Sequence, residues 1–281
     1  MRRYALNPTM PVLWRPDGTV QIGWDPRRAV LVHPPAGLTT SALAQLLRGL
    51  QDAATADELV SRATDLGAHS AAVAVADLLA ALVRAGVVIS PPAAHRPVAV
   101  RIHGRGPLSD LLASSLRCSG ARVTRTHLPH AMVSSDRTDL VVLSDALVAD
   151  PRVLRELHAA RLPHLPVLVR DGTGVVGPLV LPGVTSCLAC ADLHRRDRDD
   201  AWPAIAAQLR DAVGTADRAT VLGTAALALA QVDRVVRAVR AGPDDSTAAV
   251  PPMTLDRTVE FDVARGAVVT KRWSRHPACA C

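Results

Sequence analysis

The sequence predicts an α/β protein: a mostly parallel sheet with helices on its faces, a C-terminal β segment stapled by zinc, and a small α+β domain ahead of both. Three observations carry that expectation. From residue 98 onward, short apolar runs alternate with helical patterns, as a parallel sheet requires. Before residue 90, three strand-like runs precede three amphipathic helices. Four of the five cysteines fall in two tight pairs, Cys187 with Cys190 and Cys279 with Cys281.

In the first 90 residues, Val12–Trp14 and Val20–Trp24 read as strands around the turn Pro16, Asp17 and Gly18, and Ala29–Val32 as a third. Helical spacing follows at Ala42–Leu50, Ala56–Asp65 and Ala71–Ala85, the last ending at Gly86. Thr55 and Glu58 form a capping box at the start of the second helix. The order is winged-helix-like. A winged helix suggests DNA, but the second helix sets Asp57, Glu58 and Asp65 against a single Arg62, a poor face for phosphates. A proline-rich run, Pro91 to Pro97, then reads as a linker, leaving residues 98–281 for the larger domain.

In that larger domain, Val98–Ile102 is an apolar strand, Gly104 and Gly106 make a turn, Pro107–Cys118 is a helix, and Ala121–Val123 begins a second strand. Asp139–Leu143, Pro151–Arg161 and Val167–Val169 continue the alternation as strand, helix and strand, which is Rossmann-like. Gly104, Gly106 and Ser109 form a G-x-G-x-x-S version of the nucleotide-binding turn, in which glycines admit a pyrophosphate to a helix N-terminus. The third glycine is missing, and Arg125 to Pro129 stand where a ribose-binding acid is wanted. A tight turn in an empty sheet explains the motif equally well.

A C-x-x-C turn and a C-x-C segment offer four thiolates, enough for a closed tetrahedral zinc site with no position left for water. That makes Cys187, Cys190, Cys279 and Cys281 the metal ligands and the zinc structural. Two disulfides would need an oxidising compartment, and the chain lacks a signal peptide, so the expected location is cytoplasmic. A redox pair normally opens a helix, whereas Leu181 to Ser186 before Cys187 read as loop. His276 is a competing ligand or a solvent-exposed tail residue, and Cys118 is expected to pack as a small buried hydrophobe.

The chain has 281 residues, is 49% hydrophobic and carries a net charge of +6 spread without basic tracts. Only 2% of residues are Phe, Trp or Tyr, too few for stacking nucleic-acid bases. No stretch comes near an uninterrupted membrane span; the most apolar, Ala71 to Ile89, contains Asp77 and Arg84. Thr220–Arg240 is a long helix apolar on more than one side, which points to burial against a second subunit and a homodimer. Lys271 is the only lysine.

Gly174 to Val184, leading into Cys187 and Cys190, resembles the zinc-binding part of the ThiF/MoeB-type ubiquitin-activating-like superfamily. Strands at Thr254–Asp262 and Ala267–Trp273, followed by His276, Pro277, Cys279 and Cys281, match the way those proteins return to the zinc. Cys190 to Pro203 resembles the actinobacterial cyclodehydratase-type branch, whose members are described as leader-peptide-binding proteins of thiazole/oxazole-modified microcin pathways. The likeness covers residues 96–281, and the N-terminal segment resembles a PqqD-like peptide-recognition domain. The resemblance implies peptide capture by strand addition, a YcaO-type cyclodehydratase as partner, and a homodimer.

The superfamily adenylates a C-terminal carboxylate with Mg-ATP, and here the chain departs from it. No ribose acid, Asn/Arg/Gln segment or phosphate-contacting lysine is recognisable between Val123 and Asp139. The family's Mg-linked aspartate falls at Asp145 without its usual flanks, so Asp145 is either the catalytic candidate or a loop cap. The run Asp192–Asp200 is a mobile crossover loop or a solvated connection, and His194 has no assigned partner as a base. The favoured reading is a non-adenylating scaffold that binds a leader peptide; Mg-ATP use stays open but disfavoured. An adenylating enzyme is the alternative, and a DNA-binding regulator ranks third.

Overall fold

Asp17 turns the chain between the short strands Val12–Trp14 and Val20–Ile22, and its carboxylate accepts hydrogen bonds from both the Thr19 N–H and the Thr19 hydroxyl. The computed structural model describes residues 3–35, 37–68, 71–89, 97–127, 138–241 and 251–281. It divides into two compact units, Met1–Ala94 and His95–Cys281.

In the first unit, β2 (Val12–Trp14), β3 (Val20–Ile22) and β4 (Val30–Val32) form an antiparallel meander. Its register pairs Val12 with Ile22 and Val20 with Val32, four inward-facing side chains. Leu13 and Leu31 lie across Gln21 on the other face and are exposed, as are Trp14 and Trp24. Strand β1 (Arg3–Leu6) pairs with β5 (Ala54–Thr55) and β6 (Val88–Ile89), three short strands that the apolar pattern had not marked. Helices α1 (Thr40–Gly49), α2 (Ala56–Asp65) and α3 (Ala71–Arg84) complete the unit, with Leu43, Leu47, Leu59 and Leu82 in its core. The capping box is present: the Thr55 hydroxyl accepts from the Glu58 N–H, and the Glu58 carboxylate accepts from the Thr55 N–H.

In the second unit, a seven-stranded sheet runs β13-β12-β11-β10-β9-β7-β8. Strands β7 (Ala99–His103), β8 (Arg122–Thr126), β9 (Leu140–Ser144) and β10 (His164–Arg170) are parallel, and β11 (Thr173–Val176), β12 (Arg257–Asp262) and β13 (Ala267–Arg272) continue antiparallel. Strand β9 is buried on both faces: Leu140 and Val142 pack in one cluster, Val141 and Leu143 in another. Helices α4 (Pro107–Cys118) and α8 (Arg218–Ala241) cover the first face. Helix α5 (Pro151–Ala159) covers the second, joined there by Leu188 of α6 (Leu188–Arg196). A further helix, α7 (Trp202–Leu209), follows α6. Because β8 lies on one side of β7 and β9 on the other, the strand order reverses at the β7–β9 pair, which makes their carboxyl ends a switch point.

Several expectations need correction. The C-x-x-C does open a helix, with Cys187 as the N-cap of α6, and most of the charged run from Asp192 is helical; i,i+3 pairing of Asp192 with Arg195 supports it. Cys118 is exposed, because it falls on the outer side of the last turn of α4. Among the described residues, α8 over Arg218–Val239 is long and apolar enough to cross a membrane by length and composition, contrary to the expectation that no stretch comes near. Its Ala225, Ala228 and Val232 nevertheless pack on the sheet, and its buried Gln231 accepts from the Met253 N–H, as in a core helix. Most of the predicted linker, and residues 128–137 where ribose and phosphate ligands were sought, lie outside the described residues.

Candidate functional site

Cys187 and Cys190 stand three residues apart on the first turn of α6, so their sulfurs point the same way, 3.7 Å from each other. The segment after β13 returns to them, with Cys279 Sγ 3.6 Å from Cys187 Sγ and Cys281 Sγ 3.4 Å from Cys190 Sγ. A tetrahedron of sulfurs around zinc has edges of about 3.8 Å for Zn–S bonds of about 2.3 Å. The observed spacings approach that value and far exceed a disulfide bond. The four thiols, all within 4.8 Å of one another, can hold a metal ion. Burial pushes the Cys187 and Cys281 thiols up. Burial also acts against Cys190, but the main-chain N–H groups of His276 and Cys187 outweigh it and bring its pKa down to about 7.

The ligands are held from outside the cluster. Ser186, just before Cys187, donates through its N–H and hydroxyl to Asp256 at 2.9 and 3.1 Å. His276 donates from Nε2 to Asp197 at 2.7 Å, and the Ala278 N–H donates to its Nδ1 at 3.1 Å. Its carbonyl accepts from the Cys279 N–H, and its side chain is buried, not a solvated tail group. His194, Asp197 and His276 bring ligand atoms within 4.8 Å, yet they do not suit a second metal. With Nδ1 accepting from Ala278, Nε2 must carry the proton, so a cation there would require an imidazolate. The trio is a clasp between α6 and the returning tail. Sequence spacing could not reveal it, since Asp197 and His276 are 79 residues apart.

At the switch point, the turn Gly104–Gly106 leads into α4, and Asp145 follows β9. The Asp145 carboxylate accepts from the Leu108 N–H at 3.0 Å, the Ser109 N–H at 2.9 Å and the Ser109 hydroxyl. Ser109 also meets the Ser144 hydroxyl at 2.8 Å. Asp145 is 2% exposed, its N–H donates to the Val167 carbonyl, and its carbonyl accepts from the Gly214 N–H. A Cβ at Gly104 would lie 2.1 Å from the Ser144 carbonyl oxygen, and one at Gly106 2.6 Å from Asp145 Oδ1. Both glycines have positive φ, 153° and 155°. The geometry brings Gly104, Gly106, Ser109 and Asp145 together, around a carboxylate of the chain itself.

No protein-family model and no curated protein matches the sequence. Solved structures do match. A heterocyclase in complex with substrate and cofactor aligns over 100% of this chain and 39% of its own, with TM-score 0.69 and 15% identity. The heterocyclase TruD aligns over 100% and 42%, with TM-score 0.66 and 18% identity. MccB from E. coli, solved with ATP, aligns over 99% of both chains, with TM-score 0.60 and 12% identity. The chain has the heterocyclase and MccB fold. It spans about two fifths of the length of the heterocyclases and nearly all of MccB.

Within this MccB-like fold, a cleft of about 740 Å³ runs across the sheet on the side of α5, α6 and α7. Its floor is apolar, with Leu143, Pro166, Leu168 and Val175 contributed by β9, β10 and β11. At the switch-point end stand His103, Arg105 and His127, with burial and Arg101 holding His103 below the usual histidine range. At the far end, the Arg195 guanidinium lies 5.0 Å from the Trp202 ring centroid and 5.3 Å from that of Trp273, and pairs with Asp192 at 2.7 Å. Arg170 pairs with Glu260 at 2.8 Å on the same wall.

Proposed function

We propose that the chain binds a peptide and presents it to a separate modifying enzyme without adenylating it. The observation that carries this reading is the Asp145 carboxylate at the N-terminus of α4. In a nucleotide-binding sheet, that helix end offers its N–H groups to phosphate. Here Leu108 and Ser109 give theirs to the carboxylate of Asp145, packed so closely on Gly106 that a Cβ there would lie 2.6 Å from its Oδ1. A phosphate at the same place would meet a fixed negative charge.

The peptide is a leader segment that adds as a strand to an edge of the β2-β3-β4 meander, the mode of a PqqD-like domain. The partner is a YcaO-type cyclodehydratase, and the working form is a cytoplasmic homodimer. The heterocyclases are more than twice as long as this chain. Zinc on Cys187, Cys190, Cys279 and Cys281 is structural, because four protein sulfurs leave no position for substrate.

A second reading, ATP-dependent adenylation of a peptide carboxylate, draws on MccB, whose structure with ATP matches along its whole length. Calorimetric titration of zinc-replete protein with Mg-ATP separates the two. The scaffold reading expects no binding up to millimolar nucleotide. Micromolar binding that disappears in Gly106→Trp would replace it with adenylation.

A further inference from the structure

The tail that brings Cys279 and Cys281 to α6 is held by contacts that involve no sulfur. His276 donates to Asp197 at 2.7 Å, and the Cys279 and Ala278 N–H groups donate to the His276 carbonyl and Nδ1 at 2.9 and 3.1 Å. His194 donates from Nε2 to the Ser274 carbonyl at 3.1 Å, and Arg275 donates to the Gly183 carbonyl at 2.6 Å. Together these bonds fix the tail against α6 and the loop before it, so the four thiols keep their places whether or not a metal joins them. Each tail sulfur then stands against a different helix sulfur, Cys279 on Cys187 at 3.6 Å and Cys281 on Cys190 at 3.4 Å. A disulfide bond is about 2.05 Å long, so each sulfur of these pairs has to move by about 0.7–0.8 Å to form one. Cys279 and Cys281 are also the partly exposed members, whereas Cys187 and Cys190 are buried.

We infer that the four thiols are a modification site: in the metal-free chain, a small-molecule disulfide of the glutathione type converts them into two crossing bridges, Cys187–Cys279 and Cys190–Cys281. The oxidant meets the exposed tail first. A tail thiolate attacks its S–S bond, forms a mixed disulfide and releases one small thiol. The facing helix thiolate then attacks the tail sulfur, closes the bridge and expels the second small thiol. Each bridge takes two electrons from two cysteines and passes them, with two protons, to the oxidant, which leaves as two thiols. The local alternative, Cys187 with Cys190 and Cys279 with Cys281, would let the tail go. It requires the tail sulfurs to turn away from the helix sulfurs that they face. The crossing bridges instead keep the tail on α6 by covalent bonds, where loss of the metal alone leaves it to the His276 clasp. None of this depends on whether the chain captures a peptide.

The test is nonreducing peptide mapping by mass spectrometry of the full chain, stripped of metal with a chelator and treated with oxidised glutathione. Trypsin leaves both helix cysteines in residues 171–195 and both tail cysteines in residues 276–281. We expect the two fragments to be joined and to part on reduction, and the oxidised chain to take up no zinc until it is reduced. Separate fragments, each closed on itself, or glutathione left on the tail, overturn the inference. Paired variants read the register. The chain with Cys187→Ser and Cys279→Ser should close its remaining bridge at least about tenfold faster than the chain with Cys187→Ser and Cys281→Ser. Equal rates, or the reverse order, overturn the pairing. Asp197→Ala, at an exposed position, removes one bond of the clasp and should lower the joined fraction in favour of separate fragments. A joined fraction unchanged in that variant overturns the part given to the clasp.

Discussion

Replacing Asp145 with alanine would leave the N-terminus of α4 without its acceptor. The Leu108 and Ser109 N–H groups lose their partner, while the Ser109 hydroxyl keeps Ser144. Each buried donor left unmade costs about 1–3 kcal/mol. The lost charge–dipole attraction adds about 0.3–2 kcal/mol. Position 145 has φ 71°, where alanine is strained by about 1 kcal/mol more than aspartate. Relief of a buried charge offsets part of the total, leaving about 4 kcal/mol. For a unit of this size each kcal/mol shifts the melting temperature by about 2–4 °C, so Asp145→Ala should melt about 8–16 °C lower. Asp145→Asn keeps one acceptor oxygen and tolerates positive φ, so it should fall between alanine and the parent. Differential scanning calorimetry of zinc-replete protein measures both. A shift below about 2 °C in Asp145→Ala would refute the reasoning, and so would Mg-ATP binding by the parent that the variant lacks, since Asp145 would then be holding metal and not capping α4.

Cys279→Ser and Cys281→Ser should each lower bound zinc well below one per chain and loosen β12 and β13; unchanged metal content by plasma emission spectrometry would exclude the Cys₄ assignment. Burial lowers the pKa of His164 to about 4, so the unfolded chain protonates below about pH 6.5 while the folded one does not. The stability this gives is complete above pH 6.5 and falls by about 3 kcal/mol by pH 4, and His164→Asn should flatten that part of the urea-denaturation profile. If the profiles of parent and variant run parallel between pH 7 and 4.5, His164 does not set the acid limb. Thr55→Ala removes the cap of α2 and should cost the first unit about 1 kcal/mol, read as a lower urea midpoint with unchanged slope.

The inner parallel strands were legible because they are apolar on both faces, as Leu140–Ser144 illustrates. Helix α2 was legible from its caps, matching the prediction from Ala56 to Asp65. Strands β1, β5 and β6 were not, because two to four residues cannot display a period and their pairing joins segments about 50 to 85 residues apart. The helical start at Cys187 was missed because no side chain caps it and a loop precedes it. In the candidate site, the cysteine pairs announced themselves through spacing. The role of Gly104 and Gly106 did not, since a glycine-rich turn reads alike whether the anion above it is a phosphate or Asp145. Nothing in the sequence brought Arg195, Trp202, Trp273 and Lys271 together, because their neighbourhood arises only when β13 pairs with β12 and α6 packs over both.

The four sulfurs also put one wall of the cleft under chemical control from a distance. Between Cys190 and Cys279 lie 88 residues that include α7, α8, β12 and β13, and through them Glu260 and Trp273 of the cleft wall. A ligand that binds only the folded state shifts stability by about 1.4 kcal/mol for each tenfold change in its free concentration. A metal held by the four sulfurs would thus couple the order of that wall to its chemical potential, without touching any residue in it. Metal availability would then be a thermodynamic input to the cleft, read out as the fraction of chains whose far end is formed.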